Sequence, residues 1–288
     1  MRFKTLGHTS IRYSFPRWLL VVISTWASIL GVAAEVIPLP RAHSHNDYEH
    51  QRPLLDALDQ GFNSVEADIW LVNGKLLVAH DRNQVREERT LESLYLNPLR
   101  QRVAAFGGTV HPKTGGFMLL IDVKAQPSEV WPVLKQSLSA YKSFLTQFTD
   151  TSTITRAVTV VLSGARPIEQ VQAEPVRYCG IDGRLSDLAT NPSKHLYPLV
   201  SESWRPTFGG FTDGKLVESD RIKLHNLVRQ AHHQGRRIRF WAVQDQPDAW
   251  GELFRADVDL INTDKLSELA SFLKAKVHDH VTTKPSSN

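Results

Sequence analysis

The chain carries Ala42-His43-Ser44-His45-Asn46-Asp47, Val65-Glu66-Ala67-Asp68 and Val78-Ala79-His80-Asp81, and Asp122-Val123-Lys124 follows. Each cluster closes an apolar run, so imidazoles and carboxylates gather where strands give way to loops. Imidazole titrates near neutrality. One histidine can take a proton from an attacking hydroxyl while a second, protonated, gives one to the leaving oxygen. Grouped carboxylates bind a hard divalent cation, which polarises a phosphoryl oxygen. His43-x-His45 also admits a second chemistry, two imidazoles clamping a metal directly.

Strand alternation assigns these groups to faces. In Val65–Ile69 the acids Glu66 and Asp68 share one side, with Val65, Ala67 and Ile69 on the other. Asp122 and Lys124 oppose Leu119, Ile121 and Val123, and Arg239 and Trp241 oppose Ile238, Phe240 and Ala242. The apolar faces suit packing under helices, and the polar faces converge on one mouth. A buried carboxylate without a partner costs several kcal/mol or takes up a proton. Glu66, Asp68 and Asp122 are therefore expected to hold Mg²⁺ or Ca²⁺, with Lys124 balancing the remaining charge. His43 and His80 are the expected proton-transfer pair. His45 shares a face with His43 if the chain stays extended; the remaining histidines read as core or surface residues.

The elements that must position these groups alternate along the chain. Strand-like runs occupy Leu39–His43, Ser64–Leu71, Phe117–Val123, Val158–Leu162, Tyr178–Ile181, Leu199–Ser203, Arg237–Val243 and Leu260–Thr263. Helix-like segments lie at Arg52–Gln60, Thr90–Arg102, Ser128–Phe148, Pro167–Ala173, Ser219–Gln234, Pro247–Arg255 and Lys265–Lys276. The polar stretch Leu185–His195 shows no clear helix. Eight strands in this rhythm predict an α/β fold, a (β/α)8 TIM barrel over residues 35–276. An open doubly wound sheet would need a Gly-rich phosphate loop after the first strand, and there is none. Asn73-Gly74 predicts a small hairpin arm after the second strand. Residues 277–288 read as a polar, frayed tail.

The composition, 41% hydrophobic and 22% charged, is that of a globular protein. The formal charge of +4 is misleading. Residues 1–34 hold Arg2, Lys4, Arg12 and Arg17 and no acid, and without these four the remaining basic residues equal the 30 acids. No nucleic-acid partner is expected. A basic stretch to Arg17, the apolar run Trp18–Ala34 and Val32-Ala33-Ala34 before Glu35 read as a signal peptide for export, secreted or periplasmic. The alternative is an uncleaved membrane anchor over residues 18–34, although that run is short for the ~20 apolar residues of a span. The single Cys179 forms no internal disulfide.

Taken with Phe240-Trp241 and Asn262-Thr263-Asp264, the pattern His43…Glu66-x-Asp68…His80-Asp81…Asp122-Val123-Lys124 resembles the PLC-like phosphodiesterase superfamily. The likeness spans nearly all of residues 38–272, and its nearest branches are the glycerophosphodiester phosphodiesterases. His43-Ser-His-Asn-Asp-Tyr48, Cys179-Gly-Ile-Asp-Gly-Arg-Leu-Ser-Asp187 and Arg239-Phe-Trp241 more specifically resemble the "altered inheritance of mitochondria" group.

The resemblance implies a TIM barrel, a divalent ion on Glu66, Asp68 and Asp122, and His43 with His80 as the acid–base pair. Lys124, Trp241, Asn46 and Arg239 would bind substrate. It implies cleavage of a glycerophosphodiester or (lyso)phospholipid, in which an internal hydroxyl can attack phosphorus to give a cyclic phosphate. A lipid substrate would bring transient contact with a membrane surface. Two features depart from the glycerophosphodiesterase pattern. Its His-Arg-Gly becomes His43-Ser44-His45, with Arg41 or Arg239 standing in for the lost arginine. Asp122, and Asn46 three residues after His43, resemble the sphingomyelinase D branch. The rival readings are a PHP or amidohydrolase-type metal hydrolase built on His43-x-His45, and a non-catalytic barrel that binds phospholipid head groups.

Overall fold

Eight strand-forming runs pair into one parallel sheet. They are β1 (Leu39–Ser44), β2 (Phe62–Val72), β3 (Phe117–Val123), β4 (Val158–Gly164), β5 (Gly180–Gly183), β6 (Leu199–Ser203), β7 (Arg237–Trp241) and β8 (Ile261–Thr263). The computed structural model describes Met1 and residues 36–112, 116–212 and 214–282. The expected leader, apart from Met1, and residues 283–288 of the expected tail lie outside the described residues. The spatial order is β7-β6-β5-β4-β3-β2-β1-β8. A parallel bridge between Arg239 and Leu260 carries β7 to the start of β8, so the sheet is a nearly closed (β/α)8 barrel. A helix follows every strand except β2 directly, where the arm intervenes. Among the described residues no helix is long and apolar enough to cross a membrane.

The two-residue period of the strands sorts the side chains as expected. Val65, Ala67, Ile69, Leu119, Ile121, Val123, Ile238 and Phe240 are buried in the large core beneath the helices. The opposite faces enter the barrel. Met118, Leu120, Val161, Leu199 and Leu260 form a second apolar cluster there. Further along the same faces stand Asp122, Ser163 and Ser201, so the barrel is plugged with hydrocarbon below and polar at its C-terminal mouth. Register aligns the mouth: Asp68 pairs with Asp122, and Asp122 with Ser163.

The arm is Lys75–Val78, antiparallel to the end of β2 with Ile69 opposite Val78. Asn73 (φ 49°) and Gly74 (φ 75°) both take the left-handed conformation that a two-residue I′ turn demands. The hairpin thereby returns His80 to the level of Asp68, whose carbonyl accepts the Ala79 N–H at 3.2 Å.

Several boundaries differ from the sequence reading. Leu185–Thr190 is a short helix where none was expected; Asp187 accepts the Arg184 N–H at 2.7 Å and starts it. The helix expected to reach Phe148 ends at Ala140, because Gln147–Phe148 pairs instead with Thr153–Ile154. β5 begins at Gly180, and β7 ends at Trp241 because Ala242 has φ 55°. The last helix, Leu266–Thr282, runs past Lys276.

Candidate active site

β1 and β2 build the floor of the mouth. His43 lies opposite Ser64 on β2 and Asn262 on β8 and has no exposed surface. Its Nδ1 is 2.7 Å from Ser64 Oγ and its Nε2 is 3.4 Å from Glu66 Oε2. Burial, reinforced by the Arg239 charge, holds the imidazole down to about 4, so the ring is neutral at neutral pH. Glu66 is also buried, which by itself would raise its pKa. The Arg239 guanidinium, donating to Oε2 at 2.9 Å, and His43 outweigh burial and hold this carboxyl well below the usual range. Arg239 is fixed from its other side by Nε donating to Asn262 Oδ1 at 2.9 Å.

Asp68 is the hub of a second network. Its Oδ2 lies 2.6 Å from Lys124 Nζ, 2.5 Å from the Tyr48 hydroxyl and 3.3 Å from His80 Nδ1. Tyr48 has one proton to give; the charged Asp68 is its closer acceptor, and the phenol oxygen stays within 3.2 Å of His80 Nδ1. Burial and the Glu66 charge push Asp68 up to about 6 despite Lys124 and Tyr48. Asp122 is likewise raised by burial, with Lys124 opposing and Glu66 adding to the shift. Burial works against the Lys124 charge, but its pairs with Asp68 and Asp122, the latter at 3.4 Å, raise its pKa.

Glu66, Asp68 and Asp122 each offer one oxygen within 4.8 Å of the others, the one such group among the described residues. Oxygens bound at ~2.4 Å to one Ca²⁺ lie at most ~4.8 Å apart, so the spread suits a shared cation. Asp68 Oδ1 supplies a separate test. It is buried with no hydrogen-bond partner, which costs about 1–3 kcal/mol unless something electropositive meets it. An all-oxygen donor set of this charge fits Mg²⁺ or Ca²⁺. Gly164 keeps Asp122 in place: a Cβ there would stand 2.3 Å from Asp122 Oδ1, and its φ of +69° already disfavours a side chain.

These groups open on a cleft of about 280 Å³ whose lining includes His45, His80, Lys124, Arg184, Arg239 and Trp241. A larger hollow of about 600 Å³ runs between Leu39, Arg41, Phe254 and Leu273, at the opposite end of β1. Active sites of such barrels form at the C-terminal ends of the strands, so the smaller cleft is the candidate.

The structure gathers Glu66, Asp68, Asp122, Lys124, His80, Asn46, Arg239 and Trp241 at the mouth. His43 touches Glu66 but is not part of the cleft wall. Arg41, one of the two arginines considered for the phosphate, is excluded: it binds Asp257 and the Phe254 carbonyl by the other hollow. The two imidazoles of His43-x-His45 do not converge on one point, since His45 Nδ1 turns to Asp264 Oδ1 at 2.9 Å. Tyr48, Ser163 and Arg184 join the site without having been given a role in it, and Asp264, quoted in the motif after the last strand, stands behind His45. Tyr48 sits in a short 3-10 turn, Asp47–Glu49, where strand periodicity has no purchase.

A family model described as AIM6-like phosphodiesterase domain matches residues 31–179, and one for the glycerophosphoryl diester phosphodiesterase family matches residues 237–267. The chain is 31% identical over 298 residues to altered inheritance of mitochondria protein 6 of Saccharomyces cerevisiae, covering 86% of this chain and 74% of that one. It is 28% identical to the Arthroderma benhamiae homolog, covering 82% and 84%. Among solved structures it resembles a calcium-dependent phosphoinositol-specific phospholipase C from a Pseudomonas species, with TM-score 0.53, 14% identity and coverage of 78% and 88%. A glycerophosphodiester phosphodiesterase from Parabacteroides distasonis gives TM-score 0.50 at 14% identity, covering 82% and 98%. At that identity the two structures bear on the fold alone.

Proposed function

The chain belongs to the AIM6-like phosphodiesterase family, and from that premise we propose a phosphoric diester hydrolase, a metal-dependent enzyme that cleaves a glycerophosphodiester or (lyso)phospholipid. The observation that carries the metal is the gathering of one oxygen each from Glu66, Asp68 and Asp122 within 4.8 Å, beside a buried Asp68 Oδ1 that lacks any donor. Mg²⁺ or Ca²⁺ held there would polarise a phosphoryl oxygen. Lys124 and Arg239 oppose charge building on the phosphate, and Trp241, 39% exposed on the cleft wall, gives the alcohol portion an apolar surface. His80, with Nδ1 held by Asp68, presents Nε2 to the leaving oxygen. Neutral His43 is the base. Its contact with Glu66 is long, and Glu66 itself lines the cleft, so the role requires His43 to exchange Glu66 for the attacking hydroxyl.

One observation favours a second assignment of the base. His45 lines the cleft, and Asp264 holds its Nδ1 as an orienting carboxylate does. Burial works against the charged ring, but Asp264 and Glu66 outweigh it and raise the pKa. Export through the leader over residues 1–34 is a companion proposal, checked by N-terminal sequencing of protein recovered outside the cytoplasm.

Phosphorus NMR of the purified protein on glycerophosphocholine, glycerophosphoinositol and lysophospholipids, with and without EDTA, tests the reading. Turnover should require the divalent ion and vanish in Glu66→Gln. Loss of ~10²–10⁴-fold is expected for His80→Ala and for whichever of His43→Ala and His45→Ala removes the base. EDTA-resistant cleavage that survives Glu66→Gln would refute the metal, and full activity in all three histidine variants would refute the acid–base assignment.

A further inference from the structure

The motif Cys179–Asp187 follows β4 and ends against the cleft, yet the chemistry above leaves it idle. Its Arg184 lines the cleft beside Ser163, Gly164, Arg239 and Trp241. One nitrogen of the guanidinium is anchored: Nη1 donates to Asp182 Oδ2 at 3.0 Å and to the Gly183 carbonyl at 2.9 Å. Asp182 is wholly buried, and its Oδ2 also accepts Ser163 Oγ–H at 2.8 Å and the Ser201 hydroxyl. Nε and Nη2 of Arg184 make no hydrogen bond with the described residues, and the side chain is 27% exposed. An arginine fork held rigidly by one nitrogen, with its other donors open, suits a two-point contact with an oxyanion.

A second guanidinium, Arg166, stands at the same turn, within the field of Arg184, Asp182 and Asp187. Arg166 donates to the Asp182 carbonyl, and burial, then the Arg184 charge, lower its pKa. Position supplies the rest. Asp122 pairs with Ser163, and Leu162 with Ile181, so Arg184 stands two strands away from Asp122. Neighbouring strands lie ~4.8 Å apart, which separates the two backbones by roughly 10 Å across the mouth. That spacing lets one small molecule place a phosphate at the acidic cluster and a second anion at Arg184.

We propose that Arg184 is a second anion subsite of the cleft, which selects phosphodiesters whose alcohol carries a further oxyanion, a phosphomonoester or a carboxylate. The inference rests on the phosphodiesterase reading of the same cleft.

Calorimetric titration of the Mg²⁺-loaded protein with propyl phosphate, propane-1,3-diol bisphosphate and 3-phosphonooxypropanoate separates the two. The bisphosphate, the carboxylate or both should bind at least about tenfold tighter than propyl phosphate, and Arg184→Gln should abolish that gain while propyl phosphate binding stays within about twofold. Which of the two anions gains identifies the substituent. If propyl phosphate binds and neither second anion adds affinity, or if Arg184→Gln keeps the gain, the subsite is overturned and the phosphodiesterase reading stands. If propyl phosphate itself does not bind, that reading fails and the subsite with it. Should Arg184→Gln unfold because Asp182 loses its partner, the double variant Asp182→Asn, Arg184→Gln removes the pair as a unit and gives the same decision.

Discussion

Replacing His43 by Gln should change how stability depends on pH, and the sign follows from burial. In the unfolded chain this imidazole titrates near its ordinary 6.5, whereas in the folded protein it titrates near 4. As pH falls below 6.5 the unfolded state takes the proton first, so His43 stabilises the fold fully above that value and loses its contribution on the way down to about 4. At about 1.4 kcal/mol per pH unit of difference, the loss approaches roughly 3 kcal/mol. Asp68 acts oppositely: its folded value of about 6 lies above the ordinary 3.8, so the folded state takes that proton first and gains roughly 3 kcal/mol as pH falls. In wild-type protein the two nearly cancel, and neither is visible alone. Gln can serve Ser64 and Glu66 but does not titrate, and Arg239 keeps Glu66 ionised in both proteins. The variant should be less stable at about pH 7.5 and recover roughly 3 kcal/mol relative to wild type by about pH 4, some 6–12 °C in relative Tm for a chain this size. Differential scanning fluorimetry in EDTA, where no ion holds Asp68 deprotonated, reads this directly. Parallel Tm curves across the range would refute the claim that His43 is buried neutral.

Gly164→Ala should cost about 1–2 kcal/mol from backbone strain at φ +69° and weaken Mg²⁺ or Ca²⁺ binding at least about tenfold by calorimetry, because the new methyl displaces Asp122. Gly107→Ala, at φ +65° with nothing within 4 Å, should carry only the strain and leave ion binding unchanged; equal ion affinity in both variants would count against Asp122 as a ligand. Tyr48→Phe should lower stability by roughly 2 kcal/mol, the worth of a hydrogen bond to a charged group, as read from urea midpoints. It should also raise the Asp68 pKa further, since the hydroxyl bond is one of the interactions holding it down; an unchanged value in carbon-13 carboxyl titration would refute that bond.

The faces of the strands were legible because a two-residue period depends only on neighbours in the chain. Val65, Ala67 and Ile69 are under helices and Glu66 and Asp68 are in the mouth for that reason. The Asn73-Gly74 turn was legible because two successive positive φ values need those residue types. What a single strand does not encode is depth. Arg41 and Arg239 are both strand arginines on polar faces, yet one binds Asp257 at the other hollow and the other binds Glu66. Nor could periodicity reach Tyr48 or Arg184, whose positions come from a 3-10 turn and from a loop leaving β5.

Depth also separates the two histidines of the first motif. His43 and His45 have the same parity, so alternation treats them alike. Cross-strand register does not. His43 pairs with Ser64, two residues before Glu66 and four before Asp68, which puts its ring beneath the acids rather than among them. Two residues later the chain has cleared the strand, and His45 reaches the cleft with Asp264 at its back. Burial makes His43 neutral and therefore a proton acceptor at neutral pH, but it also denies the ring direct access to substrate. Exposure gives His45 that access, while Asp264 and Glu66 favour its protonated form. A base must be both unprotonated and within reach, and each histidine meets one of these conditions in the metal-free protein. Removing the Glu66 contact frees His43, and neutralising Asp264 lowers the His45 pKa. Asp264→Asn therefore distinguishes them: it should leave the acid limb of the activity profile unmoved if His43 is the base and shift that limb to lower pH if His45 is.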